Sequence, residues 1–460
     1  MTIDLHIKDA NIYYGGKFIS KDILIDNGKI KAIKNSYQGQ TAKKLIDATN
    51  KHIIPGTIDP HVHFRDPGHT ERENFKTGSK AAAAGGVTTY LEHPISTPPP
   101  YSPEILKRRI DKAENNSVVD FAFYGAAGFD KLDHIEELAK SNIVAFKTFL
   151  QDPQPGREKE FIGLTMKDDG EIWAGFEKLA KTNKICAFHA ENNEIIKFNI
   201  KKLKEDNKTN YLAHVLARPP ITEILTVEKL IRLADYFKLK IEFVHISTVE
   251  SVELIKSAKQ KGQDIILETC PHYLFKTEAD LKKLGPFAKC NPPLRSQTNR
   301  DGLWKYINDG TIDIIGSDHA PYLLEEKEKG LNNIFNAPAG FPGIEMRLPL
   351  MINAVLEGKL NFSRCIELLS ENPAKIFNMY PQKGLIEVGS DADLVILDLN
   401  EKYEIRKENF YTKAKDIANI YDKTKLRGKV KYTIVRGNIV YHDNIANDDF
   451  GWGKLVTNNI

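Results

Sequence analysis

Apolar and polar positions along this chain alternate between two periods. Eight short apolar runs rich in β-branched residues cover 53–58, 86–92, 118–124, 143–149, 185–189, 240–246, 264–269 and 311–316. Between them lie stretches whose apolar positions recur with helical spacing, among them 71–84, 103–115, 171–182, 221–238 and 249–261. Strand and helix patterns in alternation predict βα units and a parallel sheet. Eight such units predict an α/β fold, a closed (β/α)8 TIM barrel, in which reactive groups gather at the carboxyl ends of the strands. Gly85-Gly86 predicts a close-packed turn from helix to strand.

Outside 53–379 the pattern changes to short strands and tight turns. Residues 4–7, 22–26 and 29–33 read as strands with turns at Gly15-Gly16 and Asn27-Gly28. The same reading returns at 393–397, 431–435 and 439–442, with Arg436-Gly437-Asn438 as a turn. Neither piece is large enough for its own core. Together, 1–52 with 380–460 predict one small β-sandwich domain built from both chain ends, with the barrel inserted between them.

Composition narrows the class of protein. With 460 residues, 41% of them hydrophobic, the chain can bury a full barrel and more. Its 65 basic and 62 acidic residues give a net charge of +3, so no nucleic-acid partner is expected. No apolar run approaches the roughly 18 residues of a membrane span, and the first residues lack the pattern of a signal peptide, so a cytoplasmic location is expected. Cys186, Cys270, Cys290 and Cys365 are widely spaced and read as structural. The run Glu325-Glu326-Lys327-Glu328-Lys329 reads as a solvated loop.

Candidate chemistry falls at the strand ends. His61 and His63, at i and i+2 after the first apolar run, face the same side and can reach one metal ion. Two exposed edge histidines would look the same, but His189 ends the fifth run, His245 lies in the sixth and Asp318 follows the eighth. Lys147 interrupts the apolar run Ile143-Val144-Ala145-Phe146-Lys147-Thr148-Phe149, where an unpaired ammonium would be costly. It must point out of the core, find a partner, or shed its charge: a neutral amine can add carbon dioxide and become an anionic oxygen ligand.

These residues sit in stretches that resemble the cyclic amidohydrolases of the amidohydrolase superfamily, the group of dihydroorotases, allantoinases and hydantoinases. The matching segments include His61-Val62-His63, Asp66-Pro67-Gly68, Phe146-Lys147-Thr148-Phe149, His189-Ala190-Glu191-Asn192, Val244-His245-Ile246-Ser247, Glu268-Thr269-Cys270-Pro271-His272-Tyr273, Asn291-Pro292-Pro293 and Ser317-Asp318-His319-Ala320-Pro321. The resemblance implies two zinc ions, with His61, His63 and Asp318 on one, His189 and His245 on the other, and N6-carboxylated Lys147 and a hydroxide bridging them. It further implies Asp318 as the catalytic proton carrier, Asn291 as an amide contact to substrate, a small cyclic amide as that substrate, and a homo-oligomer. A non-catalytic scaffold homologue would have lost metal ligands, and all six are present. A deaminase on this barrel would work with one metal and without the bridging lysine.

Substrate-reading positions disagree among themselves. Arg65 stands where dihydroorotases hold a substrate carboxylate, but their asparagine and histidine positions carry Ile95 and Tyr322 here. The tyrosine that hydantoinases place five residues after the bridging lysine is Asp152. His93 and Tyr322, at strand-end loops, are expected either to face the pocket and read the substrate or to pack behind it. The reading these residues support is hydrolysis of a cyclic amide or ureide of allantoinase or hydantoinase type, to an open-chain N-carbamoyl acid. Dihydroorotase is the alternative.

Overall fold

The computed structural model describes residues 2–35, 41–153 and 156–457. Eight parallel strands make the barrel: β1 (Thr57–Val62), β2 (Val87–Glu92), β3 (Asp120–Ala126), β4 (Ala145–Phe149), β5 (Ile185–His189), β6 (Ile241–Phe243), β7 (Ile265–Thr269) and β8 (Ile314–Ile315). Each pairs with the next in chain order. The ring is drawn together between its last and first members, where Val62 bridges His319 and the His63 amide donates to the His319 carbonyl at 2.9 Å. The carboxyl ends of β1, β4, β5 and β8 therefore share one rim.

Local chemistry sets where the helices start. Asn74, Ser102, Asp168 and Thr248 each accept an otherwise orphaned amide ahead of helices Phe75–Ala84, Pro103–Glu114, Asp169–Leu179 and Val249–Gln260. Pro103 opens its helix at a position whose missing N–H costs nothing. At the Gly85-Gly86 turn a side chain on Gly85 would lie 2.5 Å from the Ile344 carbonyl, and Gly86 adopts φ +75°. The close-packed turn read from sequence is present.

Strands from both chain ends hydrogen-bond into one continuous nine-stranded mixed sheet. Its order runs Ile445–Ala446, Asn438–His442, Lys425–Val435, Leu394–Glu404, His52–Pro55, Ile3–Tyr14, Lys17–Asp26, Lys29–Lys34, with Ala42–Asp47 added alongside Ile3–Tyr14. Leu5, Ile7, Ile12, Ile23, Ile25, Ile396 and Ile434 form its core. The run at 53–58, expected as a single strand, is divided: His52–Pro55 belongs to this sheet and β1 begins at Thr57. Gly56 is the joint, its amide donating to the Asp393 carbonyl at 2.8 Å. A Cβ at Gly56 would fall 2.2 Å from the Thr88 hydroxyl. Gly56→Ala is expected to destabilise by about 1–3 kcal/mol, read as a lowered denaturation midpoint; an unchanged midpoint refutes the tight joint.

An ion cluster locks the sheet to the barrel. Lys383 Nζ lies 2.6 Å from Asp120 on β3, 3.1 Å from Asp391 and 2.6 Å from Asp393, and all four side chains are buried. Arg436 also contacts Asp120, and Lys29 reaches Asp391 at 2.7 Å. The terminal segment closes over the same point: the Gly451 and Gly453 amides donate to the Ser117 carbonyl at 3.1 and 2.9 Å, and the Lys454 amide donates to Asp120 at 2.9 Å. The four cysteines are buried and free. No helix among the described residues is long and apolar enough to cross a membrane.

Candidate metal centre and substrate pocket

At the shared rim, side chains from five strands or strand ends converge around a narrow cavity of about 60 Å³. It is lined by His61, His63, His189, His245, Asp318, Arg65, Arg157, Asn291 and Tyr322, with Ile95, Phe149 and Phe161 among its apolar walls. A larger cavity of about 470 Å³ at the seam between barrel and sheet is lined by Tyr403, Phe410, Tyr411 and Tyr441 and holds no group of convergent metal-binding side chains. The convergent histidines and Asp318 make the smaller one the candidate site.

Fixed partners behind His61 and His189 decide which of their ring nitrogens face inward. Glu268 Oε1 takes His61 Nδ1 at 2.8 Å and the His245 amide at 2.9 Å, and Glu191 takes His189 Nε2 at 2.9 Å. This leaves His61 Nε2 and His63 Nε2 at 3.4 and 3.3 Å from Asp318 Oδ1, and His189 Nδ1 at 3.1 Å from His245 Nε2. Facing nitrogens at that distance, each oriented by a carboxylate-held ring or strand, are the arrangement expected around a common ion. Burial keeps the imidazoles neutral, the metal-binding form, and pulls the His61 pKa down to about 3. Arg65, His245 and Asp318 sit at φ +61°, +44° and +46°, left-handed conformations that ordinary side chains adopt at a cost and that concentrate at functional sites.

Lys147 is fully buried on β4, and its Nζ has no hydrogen-bond partner among the described residues. Burial lowers its pKa, opposed by the charges of Glu268 and Glu242. Asp318 is raised by burial, opposed by His61 and Lys147. Four neutral imidazoles, a carboxylate and an amine that makes no hydrogen bond among the described residues form a donor set that fits divalent metal.

Asn291 lines the cavity, and in the amide orientation that satisfies both ends it donates to the Cys290 carbonyl at 3.1 Å and accepts from Arg218 at 3.3 Å. Tyr322 also lines it, its hydroxyl accepting from Arg65 NH2 at 3.2 Å. His93 is placed behind the metal centre, not at the pocket. Its ring stacks on His61 at 3.8 Å and 6°, and its Nε2 meets the Pro60 carbonyl at 3.1 Å. Its donor atoms lie near those of His61 and His63, but lone pairs lie in ring planes, so an ion shared by two stacked imidazoles would sit outside both planes. Asp318 Oδ1, 3.4 and 3.3 Å from His61 Nε2 and His63 Nε2, faces the same space without that constraint. The charged run at 325–329 is also more than a solvated loop. It forms the short helix Leu324–Glu328, in which Glu326 binds Arg72 and Lys327 is buried, donating to the Pro338 and Gly340 carbonyls at 3.0 and 2.7 Å.

Supporting residues escaped the sequence reading. Glu268 interrupts an apolar strand just as Lys147 does, and Glu191 follows His189 at i+2; both signals were present. Glu160 lies in the single 3-10 turn Glu158–Phe161 and Arg157 just before it, a segment too short to carry a period. Glu268→Ala is expected to weaken metal binding about 10- to 100-fold through loss of the His61 orientation; competition with a chelating dye reads this, and unchanged affinity refutes it.

Comparison with known proteins places this geometry. Residues 52–440 match the amidohydrolase family. The chain belongs to that family. It superimposes on the structure of L-hydantoinase (dihydropyrimidinase) from Arthrobacter aurescens with a TM-score of 0.94 and 32% identity, covering 99% of this chain and 100% of the other. It is 34% identical to an allantoinase of Desulfitobacterium hafniense over 99% of this chain and 97% of that protein. It is 33% identical to a dihydroorotase of Methanosarcina mazei over 98% and 97%. The protein is thus a cyclic amidohydrolase of a generally metal-dependent family, carrying His and Asp groups able to bind metal.

Proposed function

We propose that this chain is a binuclear cyclic amidohydrolase of allantoinase or hydantoinase type, opening a cyclic amide or ureide ring to an N-carbamoyl acid. The observation that carries the reading is the convergence of four neutral imidazoles and Asp318 on one cavity, with the Lys147 amine, without a hydrogen-bond partner among the described residues, buried on β4 two residues before the cavity-lining Phe149. His61, His63 and Asp318 would hold one zinc ion and His189 with His245 the other. The Lys147 amine would add carbon dioxide, forming an N–C bond and releasing a proton, to stand between them as a carbamate. Such ions, when bound, lower the pKa of water towards neutrality and polarise a carbonyl oxygen.

The remaining steps belong to the chain. Asp318, at the mouth of β8, accepts a proton and returns it to the ring nitrogen as that nitrogen leaves. Asn291, a lining residue, retains one N–H and one lone pair after serving Cys290 and Arg218, and these would meet a ring amide. Ile95, Phe149 and Phe161 exclude water from the faces of a flat ring. Arg65 meets a polar group on the ring.

A specific observation favours the dihydroorotase reading as second: Arg65 has unmatched donors at the cavity wall. The deciding experiment is ring opening by the zinc-loaded protein on allantoin, hydantoin, dihydrouracil and dihydroorotate side by side. Preference for allantoin or hydantoin is the expected result, and preference for dihydroorotate replaces it with the second reading. Opening of no ring by protein carrying two metals per chain overturns both.

A further inference from the structure

Three guanidinium groups and two carboxylates meet beside the pocket without balancing. Arg72 uses its donors on Glu326, with Nε at 3.1 and 3.0 Å and NH2 at 2.5 Å, and touches Glu160 at 3.3 Å. Arg157 grips Glu160 with both arms, Nε to Oε1 at 2.9 Å and NH2 to Oε2 at 2.7 Å. Arg65 is left over. It is 1% exposed, and among the described residues its nearest carboxylate oxygen is Glu160 Oε2 at 3.8 Å and its Nε and NH1 have no hydrogen-bond partner. The Tyr322 ring lies beside both pocket arginines, 5.0 Å from the Arg65 guanidinium and 5.4 Å from that of Arg157.

A buried guanidinium with open donors is costly unless a ligand fills them, and Glu160 is close enough to do so. What prevents it is the bidentate hold of Arg157, the stronger geometry for a carboxylate. We infer that Arg157 is a positioning residue that keeps Glu160 from neutralising Arg65, leaving the Arg65 donors open to an acceptor on the ring substrate, a carbonyl in the lead reading and a carboxylate in the second. The inference rests on the ring-hydrolase reading for its substrate, but its mechanism is a competition between two arginines for one carboxylate. It predicts a dependence no packing role would produce: the effect of losing Arg157 is reversed by also losing the Glu160 charge.

The test is calorimetric binding of orotate and uracil, planar rings that differ by one carboxylate, to the metal-loaded protein. The unaltered protein is expected to favour orotate. Arg157→Met should cut that preference about 10- to 100-fold, the worth of a charged hydrogen bond, and Arg157→Met with Glu160→Gln should restore most of it. Equal binding of the two rings by the unaltered protein, an unchanged preference in the single variant, or no recovery in the double variant each overturns the inference. If Arg157→Met does not fold, Arg157→Lys decides, since a lysine cannot hold the carboxylate bidentately: a reduced preference for orotate supports the competition, and an unchanged preference refutes it. Because binding is read without turnover, failure of the ring-opening panel and failure of this inference are separate results.

Discussion

Replacing Lys147 by alanine is expected to drop bound metal from about two ions per chain to one or none and to cut ring opening by on the order of 10³-fold or more. Lys147 is enclosed on β4 with no hydrogen-bond partner, an arrangement that makes little sense for a permanent ammonium. As a carbamate it would become an anion among neutral imidazoles. The variant removes only that anion, because Glu268 and Glu191 still orient His61 and His189. Millimolar formate or acetate should therefore recover part of the lost metal and activity by placing a carboxylate where the carbamate stood. Metal analysis by mass spectrometry with and without the added acid reads both effects. Full activity in Lys147→Ala with a single ion bound would eliminate the bridging role.

The second large effect concerns stability. Lys383→Met is expected to cost about 3–5 kcal/mol, the usual penalty for leaving buried charges without their partner. Asp120, Asp391 and Asp393 converge closely enough to resemble a metal site, yet Lys383 Nζ occupies the space between them. Without it Arg436 and Lys29 must neutralise three carboxylates. Denaturant unfolding of the metal-free protein measures the change, and a loss below about 1 kcal/mol would mean that water reaches the cluster. Chelators should leave this element unaffected, since an amine holds it together.

Much of the barrel was legible because its strands are buried on both faces and read as apolar runs, while the helices between them keep a 3.6-residue period. The positions of His61, His63, His189, His245 and Asp318 followed from those runs, since a barrel presents its strand ends at one rim. Legibility failed where position depends on partners distant in sequence. The run at 53–58 reads as one strand, but Pro55 pairs with Leu394 while Thr57 pairs with Val87. His93 follows β2 as expected, yet a hydrogen bond to Pro60 and a stack on His61 turn it away from the cavity. Lys327 sits in a highly charged run and is buried all the same, because the backbone bend at Pro338 to Gly340 offers carbonyls that no sequence pattern announces. Arg157 illustrates the same limit: its partner Glu160 is three residues away, but the residue it acts on is Arg65.

The sheet that joins both chain ends also orders events during synthesis. His52–Pro55 hydrogen-bonds to Leu394–Glu404 on one side and to Ile3–Tyr14 on the other. The strand that leads directly into the first histidine pair therefore lacks one edge until some 340 further residues have left the ribosome. Contacts so distant in sequence form late in folding. The nascent barrel would hold His61 and His63 on a half-anchored strand through most of translation, so the pair is fixed in place only once Leu394–Glu404 has joined the sheet.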